Sequence, residues 1–106
     1  MRRILPALFL AASAQLGLAM PAAAQDAGDA ARGQKLADTC MGCHGIPNYR
    51  NAYPSYAVPK LAGQHPEYVV IALQGYKAQT RQHPTMYAQA ATLSDQDMRD
   101  LAAFLA

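Results

Sequence analysis

The chain has 106 residues, of which 52% are hydrophobic, but 17 of the first 24 are apolar, so the average combines a greasy leader with a more ordinary domain. Met1-Arg2-Arg3 starts positive, Ile4 to Met20 is an apolar run, and Ala22-Ala23-Ala24 offers small residues for cleavage. That is the pattern of a secretory signal peptide cut after Ala24. An uncleaved membrane anchor is the weaker alternative, since Pro6 and interspersed Ser and Gln dilute a run barely long enough to span a bilayer. No cysteine stands just after the run, which excludes attachment through a lipidated N-terminal cysteine.

Cleavage leaves residues 25–106 as one domain of 82 residues, too small for burial alone to stabilise it comfortably. Something must supplement its core. Without Arg2 and Arg3 it carries 7 basic and 7 acidic side chains, and nothing in that balance implies a nucleic-acid partner. Charge is nevertheless segregated: Met41 to Ser94 holds Arg50, Lys60, Lys77 and Arg81 against Glu67 alone. Lys60, Lys77 and Arg81 are therefore candidates for steering an acidic partner, the plain alternative being ordinary solvated charges.

In chain order, Gln25 to Gly28 is a polar lead-in, and Asp29 to Asp38 reads as a first helix with an acidic N-cap that runs into Cys40. Gly45 to Gly63, with Pro47, Pro54, Pro59 and three tyrosines, reads as an ordered loop. Pro66 suits the first turn of a second helix continuing to about Gln79, with Tyr68, Val69, Leu73 and Tyr76 at helical spacing. Thr80 to Tyr87 reads as a second loop. A last helix starts at Ser94, with Asp95 and Asp97 in its first turn and Met98, Leu101 and Leu105 on one face. The pattern is all-α, with no strand periodicity and no repeat.

The chemistry lies in Cys40-Met41-Gly42-Cys43-His44. A C-x-x-C-H in an exported chain reads as covalent attachment of a c-type haem: two thiols bond one edge of the porphyrin and the next residue supplies an imidazole to the iron. A disulfide, a thioredoxin-type redox pair and half a zinc site are the competing readings. The redox pair prefers a β-α-β setting, and a closed zinc site needs two more N or S ligands, for which only His65 and His83 are available besides His44. With His44 on one side of the iron, the occupant of the other side decides function. Met41 lies inside the attachment loop, Met20 in the leader and Met98 on a core stripe, so Met86, His65 and His83 remain. Met86 leads as a loop methionine with no helical core face to serve; a histidine beside Pro84 in a basic loop is more often solvent-facing.

These features resemble the class I c-type cytochromes, and within them the small single-haem bacterial carriers of the c-four and c-553 group. The resemblance covers nearly all of residues 25–106. It rests on the Gly33-containing first helix running into C-x-x-C-H, on Pro59-Lys60-Leu61-Ala62-Gly63-Gln64, on the Tyr68 to Tyr76 helix, on Arg81 before Pro84-Thr85-Met86, and on Leu93-Ser94-Asp95-Gln96-Asp97. It implies a cytochrome c fold of three main helices and loops wrapped around one haem, the first and last helices crossing with Gly33 against Phe104 or Leu101. It also implies Met86 as second axial ligand, Pro59 offering its carbonyl to Nδ1 of His44, and Leu61 packing on the haem. The tyrosine-rich Ile46 to Ala57 departs from the pattern, as does a single C-x-x-C-H where the c-four proteins have two.

The function so implied is transfer of one electron, with no catalysis, between exported or membrane redox partners such as a dehydrogenase, a cytochrome complex or a terminal oxidase. A subunit of such a complex is the alternative, and a haem enzyme or gas sensor with an open site is the third. The expected location is the periplasm, with membrane association only if the leader is retained.

Overall fold

The computed structural model describes residues 27–52 and 55–106; the expected leader and its cleavage point lie outside the described residues. Five helices occur among the described residues: α1 (Ala30–Leu36), α2 (Asp38–His44), α3 (Pro66–Lys77), α4 (Pro84–Ala90) and α5 (Asp95–Leu105). The extended pairing among them is limited to an isolated antiparallel bridge between Arg50 and Ala57 in the loop after α2. None of the described helices is long and apolar enough to cross a membrane. The all-α expectation holds, with two corrections to the elements.

First, the opening helix does not end at Asp38. Ala37, fully buried with ψ near −5°, ends α1 and begins α2, and the chain stays helical through His44. The Ala37 amide still donates to the Gly33 carbonyl at 2.9 Å, and the Met41 amide to the Ala37 carbonyl at 2.9 Å. C-x-x-C-H is thus carried on a helix rather than placed after one. Second, Pro84 to Ala90 is helix where a loop extending to Tyr87 is expected. Pro84 stands in the first turn, where its missing N–H costs no intrahelical bond, and Thr-Met-Tyr-Ala-Gln-Ala continues it.

The starts of α1 and α5 agree closely with the sequence reading. Asp29 caps α1, its carboxylate accepting from the Ala31 and Arg32 amides. Ser94 caps α5 in a reciprocal box, its hydroxyl accepting from the Asp97 amide at 3.1 Å while Asp97 accepts from the Ser94 amide at 2.8 Å. α3 stops at Lys77, two residues before the expected end, because Gln79 takes the left-handed conformation (φ 59°) and the Arg81 amide turns back to the Gly75 carbonyl.

α1 lies against α5 and α5 against α3, and the core sits between them: Val69, Met98, Leu101, Ala102 and Leu105 are buried. The approach of α1 to α5 is set by Gly33. A Cβ built there would overlap the Asp100 carbonyl, lying 2.5 Å from its carbon and 3.0 Å from Cβ of Phe104. The expected contact with Phe104 is present, and the backbone of Asp100 is the closer neighbour.

The same crossing carries a polar clasp. The carboxylate of Asp100, buried on the α1 side of α5, accepts from the Asp29 amide at 2.7 Å, from Gln96 at 2.8 Å and from the Arg32 guanidinium, which also reaches Asp97 at 2.5 Å. A buried carboxylate is tolerated only when so satisfied. The Ser94 amide and hydroxyl, then Arg32, hold the Asp97 carboxyl down to about 2, and the Asp29 amide and Arg32 lower that of Asp100. Carboxyls depressed on folding stabilise the folded state fully above their unfolded pKa, and this contribution is lost as pH falls toward the folded value. We expect the stability difference between wild type and Asp97→Asn, measured by denaturant titration, to be constant above about pH 4 and to shrink steadily between about pH 4 and 2. A difference independent of pH in that range would show that Asp97 contributes no depressed carboxylate.

Candidate cofactor site

Cys40, Met41, Cys43 and His44 are presented by the last turns of α2, each partly buried. Cys40 and Cys43 are free thiols and are not joined to each other. Burial pushes the Cys40 thiol pKa up, which keeps it protonated at neutral pH. Among the described residues, no three His, Cys, Asp or Glu side chains are grouped to hold a metal ion, so the half-zinc-site reading has no support there.

The imidazole of His44 is fixed from behind. Its Nδ1 lies 2.6 Å from the Pro59 carbonyl oxygen, a distance at which Nδ1 carries the proton and donates. Nε2 is then left as the basic nitrogen, the form that binds a metal. His44 also lines a cavity of about 300 Å³ whose other walls, Lys60 apart, are largely apolar, among them Met41, Ile46, Phe104 and Leu105.

What brings Pro59 there is the loop after α2. Tyr49 and Val58 pair backbone to backbone, as do Asn51 and Tyr56, closing the tyrosine-rich segment on itself. The next turn is pinned to the end of α5: the Gly63 and Gln64 amides both donate to the Leu105 carbonyl, with Gly63 in the left-handed region at φ 81°. Leu61 lies between these two anchors, partly buried against the cluster of Val69, Ala102 and Leu105. Met41, Val70 and Leu73 pack on that cluster in the same half-covered manner, so the attachment motif adjoins an apolar surface. Two free thiols, an oriented imidazole and this apolar surface are the set that a covalently held haem requires.

Met86 is half-buried in the first turns of α4, not in a loop. Its amide donates to Nδ1 of His83 at 3.3 Å, so His83 is the N-cap of α4. The expectation that His83 faces solvent is therefore corrected. The ring is partly buried, edge-on to Tyr56 at 4.8 Å and to Tyr76 at 6.2 Å between centroids, and the Tyr56 hydroxyl pairs with Thr85 Oγ1 at 2.9 Å. Neither this role nor the part played by Tyr56 is foreseen from the sequence; a histidine directly before a helix-starting proline is the signal that could have shown it. His65, the remaining alternative, is exposed at the start of α3.

The basic candidates separate. Lys77 is exposed but donates to the Leu93 carbonyl, and Arg81 donates to the Tyr68 hydroxyl at 3.0 Å while its guanidinium stacks over Tyr76 at 4.8 Å. Both charges tie the segment between α3 and α5 to α3. Lys60 is exposed next to Pro59.

A helical C-x-x-C-H backed by an oriented imidazole, inside a small all-α shell, places the molecule among covalent haem carriers. The family model described as Cytochrome c matches residues 30–106, and the chain belongs to the cytochrome c family. Within it the chain groups with the small class I proteins of the c4 type, as its motifs imply. It is 44% identical over 86 residues to cytochrome c4 of Thiocapsa roseopersicina, an alignment covering 80% of this chain and 43% of that protein. With cytochrome c4 of Pseudomonas aeruginosa it shares 39% identity over 97 residues, 92% of this chain and 47% of the relative. With cytochrome c-554(548) of Halomonas halodenitrificans it shares 37% over 81 residues, 74% of this chain and 94% of the relative. The chain thus spans about half the length of the cytochrome c4 relatives it matches. The family's cofactor is haem c, and Cys40 and Cys43 fit its attachment motif.

Proposed function

We propose that the chain carries single electrons on one haem c attached through Cys40 and Cys43, with His44 and Met86 as axial ligands, between redox proteins of the periplasm. The observation that carries this reading is His44 at the end of a helical C-x-x-C-H with its Nδ1 proton held by the Pro59 carbonyl. When bound, the haem supplies a one-electron ferrous–ferric couple. Pro59 fixes the tautomer of His44, points Nε2 away from the loop and strengthens it as a donor. Met86 contributes a soft thioether, which favours the ferrous state over the ferric and so raises the reduction potential. With both positions held by side chains of the protein, no coordination site is left for a substrate, and the site exchanges electrons without transforming a molecule. Lys60, beside the loop that orients His44, is the basic residue best placed to meet an acidic partner; Lys77 and Arg81 are engaged within the chain.

The test uses protein matured with its haem, oxidised and reduced, with and without carbon monoxide. Wild type should show the methionine-to-ferric-iron charge-transfer band and no spectral shift on adding carbon monoxide. Met86→Ala should lose the band, bind carbon monoxide when reduced, and fall in potential by on the order of 0.1–0.3 V within the ~0.8 V that axial ligands span. Ready carbon monoxide binding by wild type would overturn the Met86 assignment.

A further inference from the structure

α4 is seven residues long and places Met86 at its third position, so its first turn decides where the thioether sits. A helix this short has little stability of its own and holds only through its caps and its packing. α4 packs on α3, and its entry point is held by His83. The Nδ1 of His83 accepts from the Met86 amide, one of the orphan donors of a helix start, in the place usually taken by Ser, Thr, Asp or Asn. Those residues cap with a short side chain. His83 caps with a ring whose edges meet Tyr56 from the loop after α2 and Tyr76 from α3. Thr85, between Pro84 and Met86, is held in turn by the Tyr56 hydroxyl.

From this geometry we infer that His83 is a positioning residue for the second axial ligand, acting through the Nδ1 bond to the Met86 amide. The inference rests on the reading of Met86 as ligand and adds what holds it. Tyr56 and Tyr76 fix the plane of the ring, the ring fixes the Met86 amide, and the amide fixes the turn that presents the sulfur. Loss of the cap releases the turn without touching His44, Pro59 or the α1–α5 crossing. The iron's second position then opens by local fraying of α4, at a free energy well below that of global unfolding.

The experiment compares haem-loaded wild type, His83→Ala, His83→Asn and Ser94→Ala. It reads the charge-transfer band and the rate at which excess imidazole displaces the sixth ligand of the ferric protein. Removing a cap of about 1.4 kcal/mol should speed displacement about tenfold in His83→Ala. Asn, a good N-cap without the ring, should return the rate to within about threefold of wild type. Ser94→Ala removes the side-chain cap of α5, away from Met86, and should lower thermal stability while leaving the displacement rate unchanged, which separates positioning of the ligand from general loosening. An unchanged rate in His83→Ala, no rescue by His83→Asn, or equal acceleration in Ser94→Ala would each overturn the inference. Absence of the band from wild type would overturn the Met86 reading, and the inference with it; a band present in wild type and insensitive to His83 would overturn the inference alone.

Discussion

A Cys40→Ala, Cys43→Ala variant should lose most of its helical far-ultraviolet signal and its cooperative thermal transition. The buried hydrophobic residues among the described ones are Ala37, Val69, Ala90, Met98, Leu101, Ala102 and Leu105, and three of these seven are alanines. The apolar area removed from water by so small a set falls short of what ordering a domain of this length costs. Leu61, Val70, Leu73 and Met41 lie against that core half-covered, and a haem would complete their burial while its two covalent bonds constrain the chain. Removing both thiols removes the anchor and the added core together. Circular dichroism with a thermal scan decides it: cooperative, native-like unfolding of the haem-free variant would show that the polypeptide core suffices alone.

Gly33→Ala should strongly destabilise the fold although it lies outside the cofactor site. In an isolated helix the substitution stabilises by about 1 kcal/mol, since glycine is a poor helix former. Here the sign reverses, because the added methyl would overlap the Asp100 carbonyl group, a backbone neighbour with no rotamer to yield. Relief requires α1 and α5 to separate. That movement would also stretch the clasp of Arg32 and the Asp29 amide on Asp100 and open the core around Met98 and Leu101. A loss of at least about 3 kcal/mol is expected, the upper end of overpacking penalties, or a fall in melting temperature of roughly 12–24 °C for a domain of this size. A stabilised variant would mean that the two helices do not meet at Gly33 in solution.

The site is legible in the sequence where chemistry depends on local spacing. Cys40, Cys43 and His44 announce themselves because two thiols and an imidazole must share one helical turn, whatever the rest of the chain does. Helix starts are equally local: the acidic cap at Asp29 and the start at Ser94 read correctly because a helix start needs a short side-chain acceptor at a fixed place. His83 escapes that rule only by being an unusual residue in the usual position. Pro84 reads as a loop marker because proline serves both turns and first helical positions, and the run from Thr85 to Ala90 is too short for its periodicity to choose between them.

The helical class, the attachment motif, the helix starts at Asp29 and Ser94 and the order of the main helices are properties of the amino-acid order alone, since each depends on periodicity or on contacts within a few residues. Whatever joins distant segments needed the folded chain. Asp100 stands off the apolar stripe of Met98, Leu101 and Leu105, and periodicity says nothing of its partners; the arrival of α1 at Gly33 buries it and supplies Arg32 and the Asp29 amide. Likewise Lys77 and Arg81 count as free charges until folding brings the Leu93 carbonyl and the Tyr68 and Tyr76 rings beside them. Periodicity reports which face of an element is apolar, whereas the partner of a polar group on the other face is set by the packing of segments distant in sequence.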